Sequence, residues 1–143
     1  SIADKVVYTG CIDEFFDYKY GELGYRSLRF ETGVIEMENY QGCAVINQCD
    51  HSEEYTRTVE HKHFERVKTD HTVITREYPI EYKKGMTPYY PINSKENTEM
   101  YEKYKKESKT LTNFIFGGRL AEYKYMDMHI VIESAMNKFR SAQ

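Results

Sequence analysis

The chain lacks most of the features from which a function is read at once. Its three cysteines, Cys11, Cys43 and Cys49, form no Cys-x-x-Cys pair, and an odd number cannot close into a disulfide framework, so they read as buried or incidental thiols in a reducing compartment. No apolar run approaches the roughly 18 residues of a membrane span, and no basic-then-apolar leader opens the chain; the expectation is a cytoplasmic protein without membrane partners. There is no basic excess either. Against 20 Lys plus Arg stand 23 Asp plus Glu, a net charge of −3, so no general affinity for nucleic acid is expected and any polyanion must be met locally. No Gly-x-Gly-x-x-Gly follows a strand, which leaves the chain without a dinucleotide grip. No serine or cysteine sits in an elbow-like motif, which argues against a nucleophilic triad. His61 and His63 read as sharing one strand face, with His51 and His71 nearby in sequence, but without a neighbouring cysteine or well-placed carboxylate they predict no metal site. Internal repeats and low-complexity tracts are absent.

What is present is the patterning of one α+β domain. A chain of 143 residues can bury roughly two thirds of its unfolded surface. Residues 5–10 read as a short apolar strand ending in glycine, and residues 12–17 as a short helix or turn. From Tyr25 the period becomes two, with Leu28 and Phe30 on one face and Ser27, Arg29 and Glu31 on the other. Residues 43–49, 55–61 and 71–78 are further β-branched or aromatic runs; with such short connections they predict a mostly antiparallel sheet of four to six strands. Residues 79–91, broken by Gly85, Pro88 and Pro91, read as irregular chain presenting Tyr89 and Tyr90. Asn93 and Glu96 suggest a capping box for a mostly solvated helix carrying the pairs Glu99–Lys103 and Glu102–Lys106. Residues 112–116 form the last strand, and Met128, Val131, Ile132, Ala135, Met136 and Phe139 make one apolar stripe on a C-terminal amphipathic helix that needs a partner surface.

The most informative stretch is Phe116-Gly117-Gly118-Arg119-Leu120-Ala121-Glu122-Tyr123-Lys124-Tyr125-Met126-Asp127-Met128, which joins that last strand to that helix. Two glycines permit a sharp turn and a close backbone approach, Arg119 and Lys124 bring positive charge, and Tyr123 and Tyr125 bring hydroxyl donors. Asp127 reads as an N-cap, so the first N–H groups of the helix are left pointing at whatever the loop encloses; that suits an anion.

This stretch, continued to His129, resembles the C-terminal signature of the UDP-galactopyranose mutase family. Tyr25-Arg26-Ser27-Leu28, Asn39-Tyr40-Gln41-Gly42, Tyr55-Thr56-Arg57, Glu60-His61-Lys62-His63-Phe64, Arg76-Glu77-Tyr78 and Pro88-Tyr89-Tyr90-Pro91-Ile92 resemble further blocks of that family and occur in its order. The likeness runs from about Val6 to about Phe139, although the family usually carries proline where Cys11 stands. The resemblance implies that residues 1–24 end a flavin-binding region, 25–92 form an antiparallel sheet domain for substrate and flavin, and 93–143 return to the flavin-binding region. It implies interconversion of UDP-galactopyranose and UDP-galactofuranose through a covalent adduct between reduced FAD and the sugar. The Gly-rich fingerprint that grips FAD lies in a part of the family's sequence not present here, so an inactive fragment and, by its open stripe, a homo-oligomer are expected.

By the same resemblance Arg57 is the catalytic residue and contacts the substrate. Glu77, Tyr90, Tyr125 and Asp127 serve the substrate, and Arg119, Asp127 and Met128 serve the flavin. Each has a plainer reading: a strand arginine is ordinarily solvated, any one of 14 tyrosines is ordinarily half-buried packing, and Glu77 could simply pair with Arg76 or Lys62. A stand-alone α+β module that binds a nucleotide, a sugar or another protein without catalysis is the alternative to an enzyme fragment.

Overall fold

The structure, a computed structural model, describes residues 3–142; the outer limits of the expected division, residues 1 and 143, lie outside them. Strand β1 (Val6–Tyr8) leads into a helical turn, α1 (Ile12–Phe15). Then come β2 (Tyr25–Ile35), β3 (Val45–Asn47), β4 (Arg57–Glu60), a turn α2 (Lys62–Glu65), β5 (Thr72–Glu81) and β6 (Tyr90–Pro91). The chain closes with helix α3 (Lys95–Ser108), β7 (Phe114–Phe116), a turn α4 (Gly118–Ala121) and helix α5 (Met128–Ala142). The class is α+β. Five strands are hydrogen-bonded in the order β3-β4-β5-β2-β6, and β1 pairs with β7 in parallel as a two-stranded sheet. The chain separates into two compact units, one made of residues up to Arg26 and from Tyr82 onward, the other of Ser27–Glu81.

The first unit has an aromatic core whose hydroxyls bind main chain. Cys11, Ile12, Leu23, Tyr25, Tyr104 and Tyr123 are buried, with Phe16, Tyr20, Tyr101, Phe116 and Leu120 packed against them. Tyr104 donates to Gly21 O (2.6 Å) and accepts from Tyr20 N (3.0 Å). Tyr25 donates to Asp13 Oδ1 (2.9 Å), and Asp13 Oδ2 takes Leu23 N (2.9 Å). Each phenol thus buries a large ring while its polar end stays paired, the condition under which tyrosine is an acceptable core residue. Burial pushes the Tyr25 hydroxyl far above its ordinary value, with the Asp13 carboxylate adding to it, and burial pushes the Cys11 thiol up to about 11. Cys11 has φ −65°, an angle that a proline ring would also impose.

Several details differ from the sequence expectation. On β2 the enclosed residues are Tyr25 and Ser27 rather than Leu28 and Phe30, and Phe30 is 45% exposed; the Tyr25–Asp13 bond fixes which face of the strand start turns inward. Helix α3 is capped by Ser94, whose Oγ accepts from Asn97 N (3.2 Å), not by Asn93. The side chain of Asn97 binds Ile92 O (2.9 Å) and Gly24 N (3.4 Å), which locks that residue at the third helical position. Solvated elsewhere, α3 turns Asn97, Met100, Tyr101 and Tyr104 inward at helical spacing, and the ion pair formed on it is Glu102–Lys105 (2.7 Å). On α5 the apolar stripe is largely open: Met128, Ile132, Met136 and Phe139 are 78, 60, 50 and 65% exposed.

The second unit is built around polar groups. Its buried residues are Ser27, Thr58, Glu60, Thr72, Ile74 and Thr75. β3, β4 and β5 pair antiparallel, with Asn47, Arg57 and Glu77 directly opposite one another. β5 continues through Pro79, where irregular chain was expected. The pairing with β4 ends at Glu77, so the missing proline N–H interrupts no bond on that side. His61 and His63 do not share a strand face, because the chain turns into α2 at Lys62; His61 Nε2 lies 2.7 Å from Thr75 Oγ1 and His63 Nε2 lies 3.1 Å from Glu60 Oε2.

Candidate functional site

The expected site residues fall into two groups, one in each unit. In the first unit, Gly117 continues β7 in extended form and its N–H donates to Tyr8 O (3.0 Å). Gly118 has φ +83°, which only glycine adopts without strain, and it starts the single turn of α4. Both glycine N–H groups are used within the protein, since that of Gly118 goes to Glu122 Oε1 (3.2 Å). The amides of the two glycines thus hold the turn itself together. Tyr123 then takes a left-handed conformation (φ 45°), held by its buried hydroxyl, whose one proton is shared between Gly24 O (2.6 Å) and Ile92 O (2.9 Å).

This reversal brings the chain back past Arg119, whose Nε donates to Met126 O (2.7 Å). The Arg119 guanidinium lies 5.9 Å from the ring of Tyr125, and that ring lies 5.7 Å from the ring of Tyr90, which arrives from β6. Tyr125 is 57% exposed. Asp127 stands at the N-cap position of α5, its carbonyl accepting from Val131 N (3.0 Å), and Met128 opens the helix. Arg119 and Tyr125 of this one stretch thus meet Tyr90 from β6, with Asp127 and Met128 following in chain. By helix geometry the first-turn N–H groups of α5 have no intrahelical acceptor, so this end offers a cation, phenols and a partial positive charge.

In the second unit Arg57 is fixed from both sides. Its Nε donates to Asn47 Oδ1 (3.0 Å) on β3, and its Nη1 lies 3.6 Å from Glu77 Oε2 on β5. The side chain of Arg57 keeps 42% of its surface exposed, whereas Glu77 keeps 15%. Glu77 pairs with Arg57 and not with Arg76, because successive strand residues point to opposite faces. Arg76 stands instead over the ring of Tyr55 (5.2 Å) and donates to the Tyr40 hydroxyl (3.4 Å). Strict alternation along residues 55–61 would put Tyr55 on the face of Arg57, but it is on the other side; the chain bends at Thr56, whose N–H also meets Glu77 O (2.9 Å).

Sequence reasoning missed Asn47 and Glu122. Asn47 gains its role only from strand register, which no local pattern encodes. Glu122 had a usable signal, a carboxylate four residues after a glycine that needs φ > 0.

A glycine turn between strand and helix carrying an arginine beside two tyrosines, and a sheet carrying a pinned but open arginine, define an α+β protein with donors suited to an anionic ligand. Its relatives are specific. The family model described as UDP-galactopyranose mutase matches residues 1–125, and the chain belongs to that family. It is 39% identical over 132 residues to the dTDP-fucopyranose mutase of Escherichia coli, covering 92% of this chain and 35% of that protein. It is 39% identical over 132 residues to a probable UDP-galactopyranose mutase of Klebsiella pneumoniae (92% and 34%), and 36% identical over 143 residues to the UDP-galactopyranose mutase of Mycoplasma pneumoniae (96% and 36%). The chain spans about a third of the length of these curated relatives.

Proposed function

We propose that this chain is the part of a flavin-dependent sugar-nucleotide mutase that supplies its diphosphate-binding and flavin-edge groups, and that the enzyme interconverts UDP-galactopyranose and UDP-galactofuranose. The observation that carries this reading is the pinning of Arg57. A guanidinium tethered through Nε to Asn47, with the Glu77 carboxylate 3.6 Å from Nη1 and 42% of the side chain exposed, is a partly preorganised donor fork suited to an anion. Cleaving the anomeric C–O bond adds negative charge to the departing diphosphate, so a fork fixed there favours the transition state over the bound sugar nucleotide. Glu77 orients Arg57. The hydroxyls of Tyr90 and Tyr125 hold diphosphate oxygens, and Asp127 orders the sugar end.

The donor set of Arg119 and the first turn of α5 at Asp127 and Met128 fits the electron-rich edge of a reduced flavin, with the helix dipole adding to the guanidinium charge. When bound, the reduced flavin supplies the nucleophile for the anomeric carbon. The adenosine diphosphate half of FAD has no Gly-rich grip in this sequence, so the 143-residue chain alone is inactive. Relatives equally identical to it are named for a uridine and for a thymidine sugar nucleotide. What this segment recognises is therefore the shared diphosphate and hexopyranose, with dTDP-fucopyranose as the second reading of the substrate. The protein works in the cytoplasm without nucleic acid or membrane, as a homo-oligomer.

Arg57→Ala, made in the enzyme completed by the regions its relatives carry and assayed with chemically reduced flavin, is expected to lower turnover by about a hundredfold or more, the scale of one lost preorganised donor. Arg57→Lys should recover only part, since an ammonium cannot reproduce the fork. Turnover of the alanine variant within about threefold of the parent would remove Arg57 from the mechanism. Assaying both sugar nucleotides decides between the two substrates.

A further inference from the structure

Glu122 is the residue on which the Gly117–Gly118–Arg119 turn closes. Its main-chain N–H donates to Gly118 O (2.9 Å) while its Oε1 accepts from Gly118 N (3.2 Å), so one residue satisfies both main-chain groups of the glycine. The same Oε1 accepts from Ser134 Oγ (2.8 Å) and lies 3.7 Å from Lys138 Nζ, both on α5. The aliphatic stem of Lys138 also lies along Gly117, where an added Cβ would meet its Cδ at 3.6 Å. A glycine at φ +83° is the conformationally freest residue in the turn, and a carboxylate with 21% of its side chain exposed ties it to a helix that starts six residues further on.

We infer that Glu122 is a positioning residue for flavin binding: by fixing Gly118 against α5 it sets the direction in which the next residue, Arg119, presents its guanidinium. This rests on the reading of Arg119 as a flavin contact. The turn is held by contacts within the protein, so the donor is preorganised. The working element is the acceptor oxygen, not the charge. Two of the three partners of Oε1 are neutral donors, and the third is a lysine at 3.7 Å with 35% of its side chain exposed, a weak pair at most.

The test uses the completed enzyme and reads flavin dissociation and peptide-resolved hydrogen exchange across residues 116–124. Glu122→Ala is expected to weaken flavin binding at least about tenfold and to speed exchange in that peptide, because a misdirected donor loses most of its contribution. Glu122→Gln, which keeps the acceptor, and Lys138→Met should both stay within about threefold of the parent. The Glu122→Ala/Arg119→Ala double variant should bind flavin no more than about threefold more weakly than Arg119→Ala alone, since Glu122 acts through that arginine. If Glu122→Ala does not fold, Ser134→Ala and Glu122→Asp replace it; slowed or unchanged exchange with unchanged affinity in both overturns the inference. So does an alanine variant that binds like the parent while Arg119→Ala binds weakly, or a glutamine variant as weak as alanine. If Arg119→Ala itself leaves affinity unchanged, the reading of Arg119 fails, and the inference fails with it.

Discussion

Glu60 shows how the second unit makes use of a buried charge. None of its surface is exposed, yet Tyr40 N (3.1 Å) and Gln41 N (2.8 Å) donate to its two oxygens and His63 Nε2 lies 3.1 Å away. Burial alone would raise its pKa, but the Gln41 and Tyr40 amides, with Thr72 and His63, outweigh it and hold the carboxyl down at about 2. Because the folded value lies below the ordinary 4.5, the stabilisation is complete above about pH 4.5 and is lost as pH falls towards 2. Unfolding midpoints of the parent and of Glu60→Gln should therefore differ most near neutral pH and converge in that acid window. A gap that stays constant from pH 7 to pH 2 would mean that the ionised carboxylate is not what holds residues 40 and 41. The same carboxylate fixes Tyr40 close to Arg76, so the loop and the sheet share one polar support.

At the scale of elements, the turn between β7 and α5 depends on backbone conformation more than on space. An added Cβ at Gly118 would meet Thr9 Cβ at 3.7 Å, an ordinary contact, but at φ +83° it is strained by its own backbone. Gly118→Ala is expected to destabilise by about 1–2 kcal/mol in denaturant unfolding. Gly33→Ala is the control. It lies within β2 with nothing within 4 Å of an added Cβ, and should be neutral or stabilising by about 0.5 kcal/mol, since glycine weakens a strand. Equal losses at the two positions would show that the left-handed angle at Gly118 is not the controlling feature. Elsewhere the elements obeyed tertiary demands over local patterns: β5 ran on through Pro79, beyond the end of its pairing with β4, and α2 formed where alternation suggested strand.

For the molecule as a whole, the open stripe of Met128, Ile132, Met136 and Phe139 on α5 is the main departure from a finished surface. Adjacent exposed apolar side chains of this kind seldom stay uncovered in water. The 143-residue chain is expected to self-associate, with light scattering giving a mass that rises with concentration, and Ile132→Lys with Phe139→Lys should return it to a monomer. A concentration-independent monomer for the parent would count against the stripe as an association surface. The same chain should purify colourless; a flavin absorbance retained in equimolar amount through gel filtration would show that the groups around Arg119 suffice to hold FAD without a Gly-rich grip.

The sequence by itself determined the class of fold and the positions of the longer strands and of α3 and α5 to within a few residues, and through its family resemblance it named the candidates Arg57, Glu77, Tyr90, Arg119, Tyr125, Asp127 and Met128. Those signals are local: period-two and period-3.6 patterning, glycine pairs and motif order. Only the tertiary structure decided that Glu77 serves Arg57 rather than Arg76, that Asn47 is the other half of that clamp, and that Tyr55 lies on the opposite face. Strand register and a bend at Thr56 set these contacts, and neither leaves a trace in neighbouring residues. It also decided that the Glu122 oxygen taking Gly118 N–H is held as well by Ser134, because that second bond depends on how α5 folds back over the turn.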